Sequence, residues 1–401
     1  MILKGIRVVE MGQFIFVPYA AAHLADMGAE VIKLENPAGG DPQRGYLHQS
    51  HSDLPAASYN WIFEQNNRGK KSLALNTNTD QGREIAYRLL SQVDVFMTNL
   101  QVSTLKRMRL DYESVSKINP RLIYAQGTGY GLEGPDKDRG AFDYGIFARC
   151  GMMASFGEPG SPPVQCQPGM GDHISAMNLC CAIALALFHR ERTGEGQMVH
   201  ASLYGSMLDA GSVSLQAVLA SGGSVARKSR SLARNPLCNA YQDKNGDWFM
   251  IASKQPDRNW PDMCAALGIQ GLQHDPRFHN TDARAEHGPE LVDILDKVFS
   301  KMTLEDVERA FKGKNVHWSR VYSYEMVAQD PQAKANGYVM EAPHPKMGTY
   351  KAFGSPLQFS RTPSEIRGGV TELGENNDEI LLSLGYSWDE IIKLKEEGVL
   401  L

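Results

Sequence analysis

Short apolar strands alternate with helix-patterned stretches through the first third of the chain, and this alternation limits the fold more than any other feature. Residues 5–11 are β-rich, residues 17–27 read as a helix ending near Gly28, and residues 29–34 read as a second apolar strand. Further strands are expected at 72–75, 94–98 and 122–126. Helices are expected at 80–92, with Asp80 as N-cap, and at 103–108. Strands and helices in strict turn imply an α/β fold with a Rossmann-like, doubly wound parallel sheet.

The pattern then loosens. A Gly/Pro-rich stretch at 157–171 leads into a long helix expected from 173 to 190. A loop follows at 192–197, then a strand at 198–202 and one helix over 203–219. The run SGGSVARKSRSLAR at 221–234 is rich in Gly, Ser and Arg and reads as a mobile segment. A hairpin is expected over 239–252, turning at Asn245 and Gly246. Helices with polar faces continue to about residue 312. The tail carries β-like segments at 338–341 and 348–352, then helices at 377–384 and 388–397. A chain of 401 residues exceeds what one core organises well. Residues 225–325 are accordingly expected to form a second, smaller α+β domain.

The net charge of −5 gives no basic excess for nucleic-acid binding. The six cysteines form no C-x-x-C pair, and no histidine cluster has metal spacing, so no metal site is expected. The opening MILKGIRVVEMGQF alternates like a strand and does not read as a secretory signal. The longest apolar stretch, around 177–188, is too short to span a bilayer. A cytoplasmic protein with no membrane partner is the expectation.

Two glycine-rich motifs stand out. Gly129, Gly131 and Gly134 satisfy G-x-G-x-x-G after a strand. A dinucleotide site also needs a helix to begin there, but a charged loop, Pro135 to Gly140, follows instead. The sharper motif is Gly169-Met170-Gly171-Asp172-His173. Its glycines permit a tight turn, and Asp172 falls at the start of the long helix. There the free N–H groups and the helix dipole favour an ionised carboxylate. By position alone Asp172 is a helix N-cap, and a nucleophilic role is permitted without being required. His173 beside it reads as a helix-start residue. Asp143, in AFDY, is a second acidic candidate within an aromatic segment.

At these residues the chain resembles the class III CoA-transferases, of the formyl-CoA transferase and carnitine-CoA transferase type. The resemblance runs from end to end. It is carried by LKGIRVVEMGQFIFVPYAAAHLADMGAEVIKLENPAGGDPQR, NNRGKKSLALN, INPRLIYAQGTGYGLEGPDKDRGAFDY and ALFHRERTGEGQMVHASLY, and in the tail by DPQAKANG, GSPLQFS and LGENNDEILLSLGYS. It implies a large domain built from residues 1–224 together with 326–401, the small domain in between, and two chains interlocked as a homodimer.

The same resemblance places the family's nucleophile on Asp172 and its assisting acid on Asp143. It places coenzyme A contacts on Gln13, Phe14, Ile15, Phe16, Asn36, Leu75, Asn78, Asn99, Leu100, Gln101, Arg107 and Met108. Asn36 departs from the arginine often found there. The family's glycine loop has its nearest counterpart in SGGS at 221–224. No permanently bound cofactor is implied. Coenzyme A and acyl-CoA enter as substrates, with a small carboxylic acid as partner.

The implied activity moves CoA from an acyl-CoA donor to a free acid through aspartyl anhydride and aspartyl-CoA thioester intermediates. The α-methylacyl-CoA racemases share the fold and pair a histidine with an aspartate. That histidine falls on Phe142 here, which leaves two-base proton transfer short of a partner. A CoA-binding protein without transferase activity is the third reading. GYGLEGPDKDRGAFDY and PGMGDHISAM are most similar to the branch acting on aromatic or branched 2-hydroxy acids such as phenyllactate. The donor stays open between an enoyl- or aryl-acyl-CoA and succinyl-CoA. Phe14, Phe16, Phe142 and Met170 are read equally as acyl pocket or as core.

Overall fold

The computed structural model of the chain describes residues 1–45 and 59–401. Six strands form the main sheet: β1 (Arg7–Met11), β2 (Glu30–Glu35), β3 (Lys71–Ala74), β4 (Val95–Thr98), β5 (Ile123–Thr128) and β6 (Gln197–Ser202). Their order is β3-β2-β1-β4-β5-β6 and every pair is parallel. The order reverses between β1 and β4, the switch point where open α/β sheets bind ligands beyond the carboxyl ends of their strands.

Each face of the sheet is covered. On one face Val8, Val31, Val95, Met97 and Ile123 pack against the helices Phe16–Asp26 and Met170–Thr193. The Phe16–Asp26 helix is alanine-rich and every residue in it is buried. Its Pro18 lies in the first turn, where a missing N–H costs nothing. The Met170–Thr193 helix has 24 residues, enough by length and apolarity to cross a bilayer. Here it is the β5-to-β6 crossover, with Ala176, Leu179, Ile183 and Ala186 in the core.

On the other face Val9, Ile32, Leu34, Phe96 and Tyr124 meet the Asp80–Leu90 helix and the two C-terminal helices, Asn377–Ser383 and Trp388–Glu396. The C-terminal segment also covers the edge strand β3. Asn376 and Asn377 accept hydrogen bonds from the backbone N–H groups of Ser72 and Ala74, at 2.9 and 2.8 Å. An open edge is thereby closed.

The chain divides into two compact units. The larger comprises residues 1–153, 165–223 and 331–401. The tail contributes the antiparallel pair β10 (Val339–His344) and β11 (Gly348–Phe353) to it. The smaller comprises residues 154–164 and 224–330. Its sheet is antiparallel, from β7 (Cys238–Gln242), β8 (Trp248–Ala252) and β9 (Trp318–Arg320). Tyr241, Phe249, Trp260 and Phe299 fill its core. The β7–β8 hairpin turns at Asn245 and Gly246 as expected, with Asp243 accepting from the N–H groups of Asn245 and Asp247.

Three local expectations are corrected. Thr79, not Asp80, caps its helix, because the Thr79 hydroxyl accepts from Gly82 N at 3.0 Å. The stretch expected as one helix over 203–219 is two, Leu203–Ala210 and Ser212–Ser221, broken at Gly211. The segment 221–234 is held within the smaller unit from Ser224 on. Arg227 donates to Ala154 O at 3.2 Å, and Arg230 pairs with Asp296 at 2.6 Å. Gly222 (φ +66°), within SGGS, is the left-handed C-cap of the Ser212–Ser221 helix.

Candidate active site

Parallel strands end on one side of a sheet, so the loops after β1, β2, β3 and β4 share an edge. Gln13, Phe14, Ile15 and Phe16 follow β1, Asn36 follows β2, Leu75 and Asn78 follow β3, and Asn99, Leu100 and Gln101 follow β4. The expected coenzyme contacts therefore line the carboxyl edge around the β1/β4 switch point. Arg107 is exposed at the end of the Val102–Met108 helix. Leu75, Met108 and Phe16 are core side chains, 1%, 7% and 3% exposed. Their side chains are committed to packing.

The β1 turn is an unusual backbone. Phe14 has φ +63°, in the left-handed region that bulky residues avoid. Its ring meets Phe142 edge-on at 5.7 Å between centroids. Asn99 holds the preceding residue from both sides, accepting from Gln13 N at 2.9 Å and donating to Gln13 O at 2.8 Å.

Phe142 leads to Asp143, the first residue of the Asp143–Arg149 helix, which is 6% exposed. The Met170–Thr193 helix begins against it. The helix was expected from residue 173 with Asp172 as cap. It starts instead at Met170, with Gly169 at the N-cap in a left-handed conformation (φ +76°). Asp172 is thus inside the first turn, half-buried. Gly171 permits the close approach, since a Cβ there would stand 3.1 Å from Asp143 Cβ. His173 stacks on Tyr19 at 4.1 Å, and Ile15 Cδ1 lies 3.5 Å from where a Cβ on Gly169 would sit. The β1 turn, Asp143 and Asp172 are in this way brought to one place.

The electrostatics run against the helix-start expectation. Burial first, then the charge of Asp143, push the Asp172 carboxyl up to about 7. One pKa unit is about 1.4 kcal/mol. That rise exceeds the ~0.3–1 kcal/mol with which a helix N-terminus favours an anion. Desolvation and the like charge win. Burial also takes His173 down to about 4, so it is neutral at ordinary pH and supplies no counter-charge. Cys166 is pushed up to about 11 by burial and then by Asp143, which keeps it a thiol. The arrangement is a half-buried carboxylate of raised basicity beside a second carboxylate, at the N–H end of a long helix. A basic carboxylate in such a place suits nucleophilic attack on a carbonyl.

The family model described as CoA-transferase family III matches residues 3–377. This chain belongs to CoA-transferase family III. It is 31% identical to the (R)-2-hydroxy-4-methylpentanoate CoA-transferase of Clostridioides difficile, over 100% of this chain and 99% of that protein. It is also 31% identical to the cinnamoyl-CoA:phenyllactate CoA-transferase of Clostridium sporogenes, over 98% and 96% of the two chains. Among solved structures it is similar to a CAIB/BAIF family protein from Brucella suis, with TM-score 0.82, 29% identity and coverage of 95% and 99%. As a family III CoA-transferase it is an acyl-CoA:carboxylate CoA-transferase, with coenzyme A and acyl-CoA as substrates.

Sequence reading missed one part of the site region. Glu10, Lys33, Asp41 and Lys70 form a fully buried charge cluster directly beneath the β1 turn. A signal was present: Glu10 and Lys33 are charged residues that interrupt the buried apolar runs of the strands RVVEM and EVIKLE.

Proposed function

We propose that Asp172 is the nucleophile of this CoA-transferase, that Asp143 assists it, and that the acceptor is an apolar 2-hydroxy acid. One Asp172 oxygen attacks the donor thioester carbonyl, the C–S bond breaks, and CoA leaves as thiolate. The product is a mixed anhydride. The thiolate then attacks Cγ of Asp172, the anhydride C–O bond breaks, and the donor acid departs with one oxygen from Asp172. The aspartyl-CoA thioester that remains is attacked at Cγ by the acceptor carboxylate, again releasing thiolate. Thiolate attack on the acceptor's carbonyl carbon completes the new acyl-CoA and restores Asp172. Charge is conserved at every step and no net proton moves. N–H groups of the first helical turn, around Gly171, are suited to the developing oxyanions.

The observation that carries this reading is the raised basicity of Asp172 next to Asp143 at a glycine-built helix start. Phe14, Phe142 (65% exposed) and Met170 (38% exposed) lie around it and favour an apolar acyl group. The names of two relatives, acting on 2-hydroxy-4-methylpentanoate and phenyllactate, fit the same acid class. A homodimer is supported by the Ser212–Ser221 helix, an apolar element with no buried residue, and by Leu185 and Phe188, each more than 60% exposed. Six free cysteines suit a reducing, cytoplasmic setting. The acid class is tested by a panel of acyl-CoA donors against free acids, read by mass spectrometry. Aromatic and branched 2-hydroxy acids are expected as acceptors, and transfer confined to dicarboxylates contradicts the assignment.

A further inference from the structure

The turn after β1 has no regular backbone pairing of its own, yet each polar group of its backbone from Gly12 N to Phe14 N is held by a side chain. Glu10 Oε1 accepts from Gly12 N at 2.6 Å. Lys33 Nζ donates to Gly12 O at 3.0 Å. Asn99 takes both Gln13 groups. Asp41 Oδ1 accepts from Phe14 N at 3.2 Å.

Three of these four side chains are charged and buried, and they belong to one cluster. Lys33 Nζ lies 3.2 Å from Glu10 Oε1 and 3.0 Å from Asp41 Oδ2. Lys70 Nζ completes it, 3.0 Å from Glu10 Oε2, while donating to Pro18 O at 2.8 Å. Two lysines balance two carboxylates. Buried ion pairs are seldom kept for stability, because apolar residues of equal volume serve as well or better. An apolar replacement has no means of holding the three backbone groups that the cluster holds, Gly12 N, Gly12 O and Phe14 N.

Asp41 also reaches the next loop. Its Oδ1 accepts from Gln43 N at 3.0 Å, and its own N–H donates to Glu35 Oε1 at 3.1 Å. One carboxylate thus joins the turn at 13–16 to the loop that carries Asn36. We propose that the Lys33–Asp41 pair is a positioning device for CoA transfer: it clamps Phe14 in its left-handed conformation and fixes the two loops as one rigid wall of the coenzyme site. This rests on the reading of that edge as the coenzyme site. Neither residue is a catalytic residue; Asp41 acts through Phe14 N, and Lys33 acts through Gly12 O and by holding Asp41 in place.

The test compares Asp41→Ala, Asp41→Asn and Phe14→Gly, singly and combined. CoA affinity, kcat and KM are measured beside hydrogen–deuterium exchange of residues 12–16. Asp41→Ala is expected to lower kcat/KM by about tenfold, chiefly through KM, with faster exchange confined to these loops. Asp41→Asn, which keeps an oxygen facing Phe14 N, falls between. Glycine adopts positive φ without strain, so in the Phe14→Gly background loss of the Asp41 carboxylate costs at most about twofold. Unchanged exchange and kcat/KM in Asp41→Ala overturn the proposal, as does an equal loss in both backgrounds. If Asp41→Ala does not fold, Asp41→Asn carries the same readings, and wild-type values there overturn it. Exchange is read without turnover. A wild-type protein that binds CoA but transfers nothing therefore rejects the transferase mechanism and leaves the clamp to be judged separately.

Discussion

Asp143 raises the basicity of Asp172 across the junction of two helix starts, adding its charge to burial so that the Asp172 carboxyl stands at about 7. Asp172, the proposed nucleophile, is mostly ionised only when the pH exceeds that value. kcat/KM should rise with pH through about 7 and then level. Asp143→Asn removes the like charge and should move this limb to lower pH, whatever it does to the plateau. A pH–rate profile of both proteins checks this. A wild-type limb near the ordinary aspartate value of about 4 contradicts it.

The same shift has a consequence for stability. The folded-state value lies above the ordinary one, so between about 4 and about 7 the folded protein binds more protons than the unfolded chain. Stability is fully present below about 4 and is lost as pH rises through about 7. Above that, the ionised Asp172 is a burden on the fold. Asp172→Asn should therefore raise Tm by about 2–5 °C at pH 8, with a smaller gain at pH 5. Thermal unfolding at the two pH values is the measurement. A Tm that falls at pH 8 rejects the electrostatic account.

Gly171 sets the approach of the two acidic residues. A Cβ placed there meets Asp143 Cβ at 3.1 Å. Gly171→Ala should cost at least about tenfold in kcat while the chain stays folded, because small misplacements near reacting atoms are expensive. Single-turnover kinetics with circular dichroism separates the two effects.

By family resemblance, Phe142 falls where the racemases of this fold carry a base. In deuterated water, a chiral 2-methylacyl-CoA without an acid acceptor should keep its α-hydrogen and its configuration. Exchange at the rate of transfer would restore the two-base reading.

Much of the fold was legible because strands such as AEVIKL and the helices between them carry their periods locally. The parallel sheet and the β7–β8 hairpin follow from that. The start of the Met170–Thr193 helix was not legible, since Gly169 caps it through backbone conformation with no side-chain signal. The break at Gly211 was hidden in an apolar run. The titration of Asp172 was misread because its opponent, Asp143, is 29 residues away in sequence and near it only in space. The cluster under the β1 turn escaped for a similar reason: Glu10 and Lys70 are 60 residues apart, and nothing local pairs them. Asp172 itself stood out through its glycine-rich turn, and family resemblance gave it a role that its position alone did not.

The most direct test follows one atom. An acceptor acid labelled with 18O in its carboxylate is turned over with unlabelled acyl-CoA, and the peptide containing Asp172 is then weighed. Each turnover passes one acceptor oxygen to the Asp172 carboxylate, so that peptide should carry one heavy oxygen after a single turnover and up to two after many, located on Asp172 by fragmentation. Transfer that proceeds with no label on Asp172 contradicts its role as nucleophile.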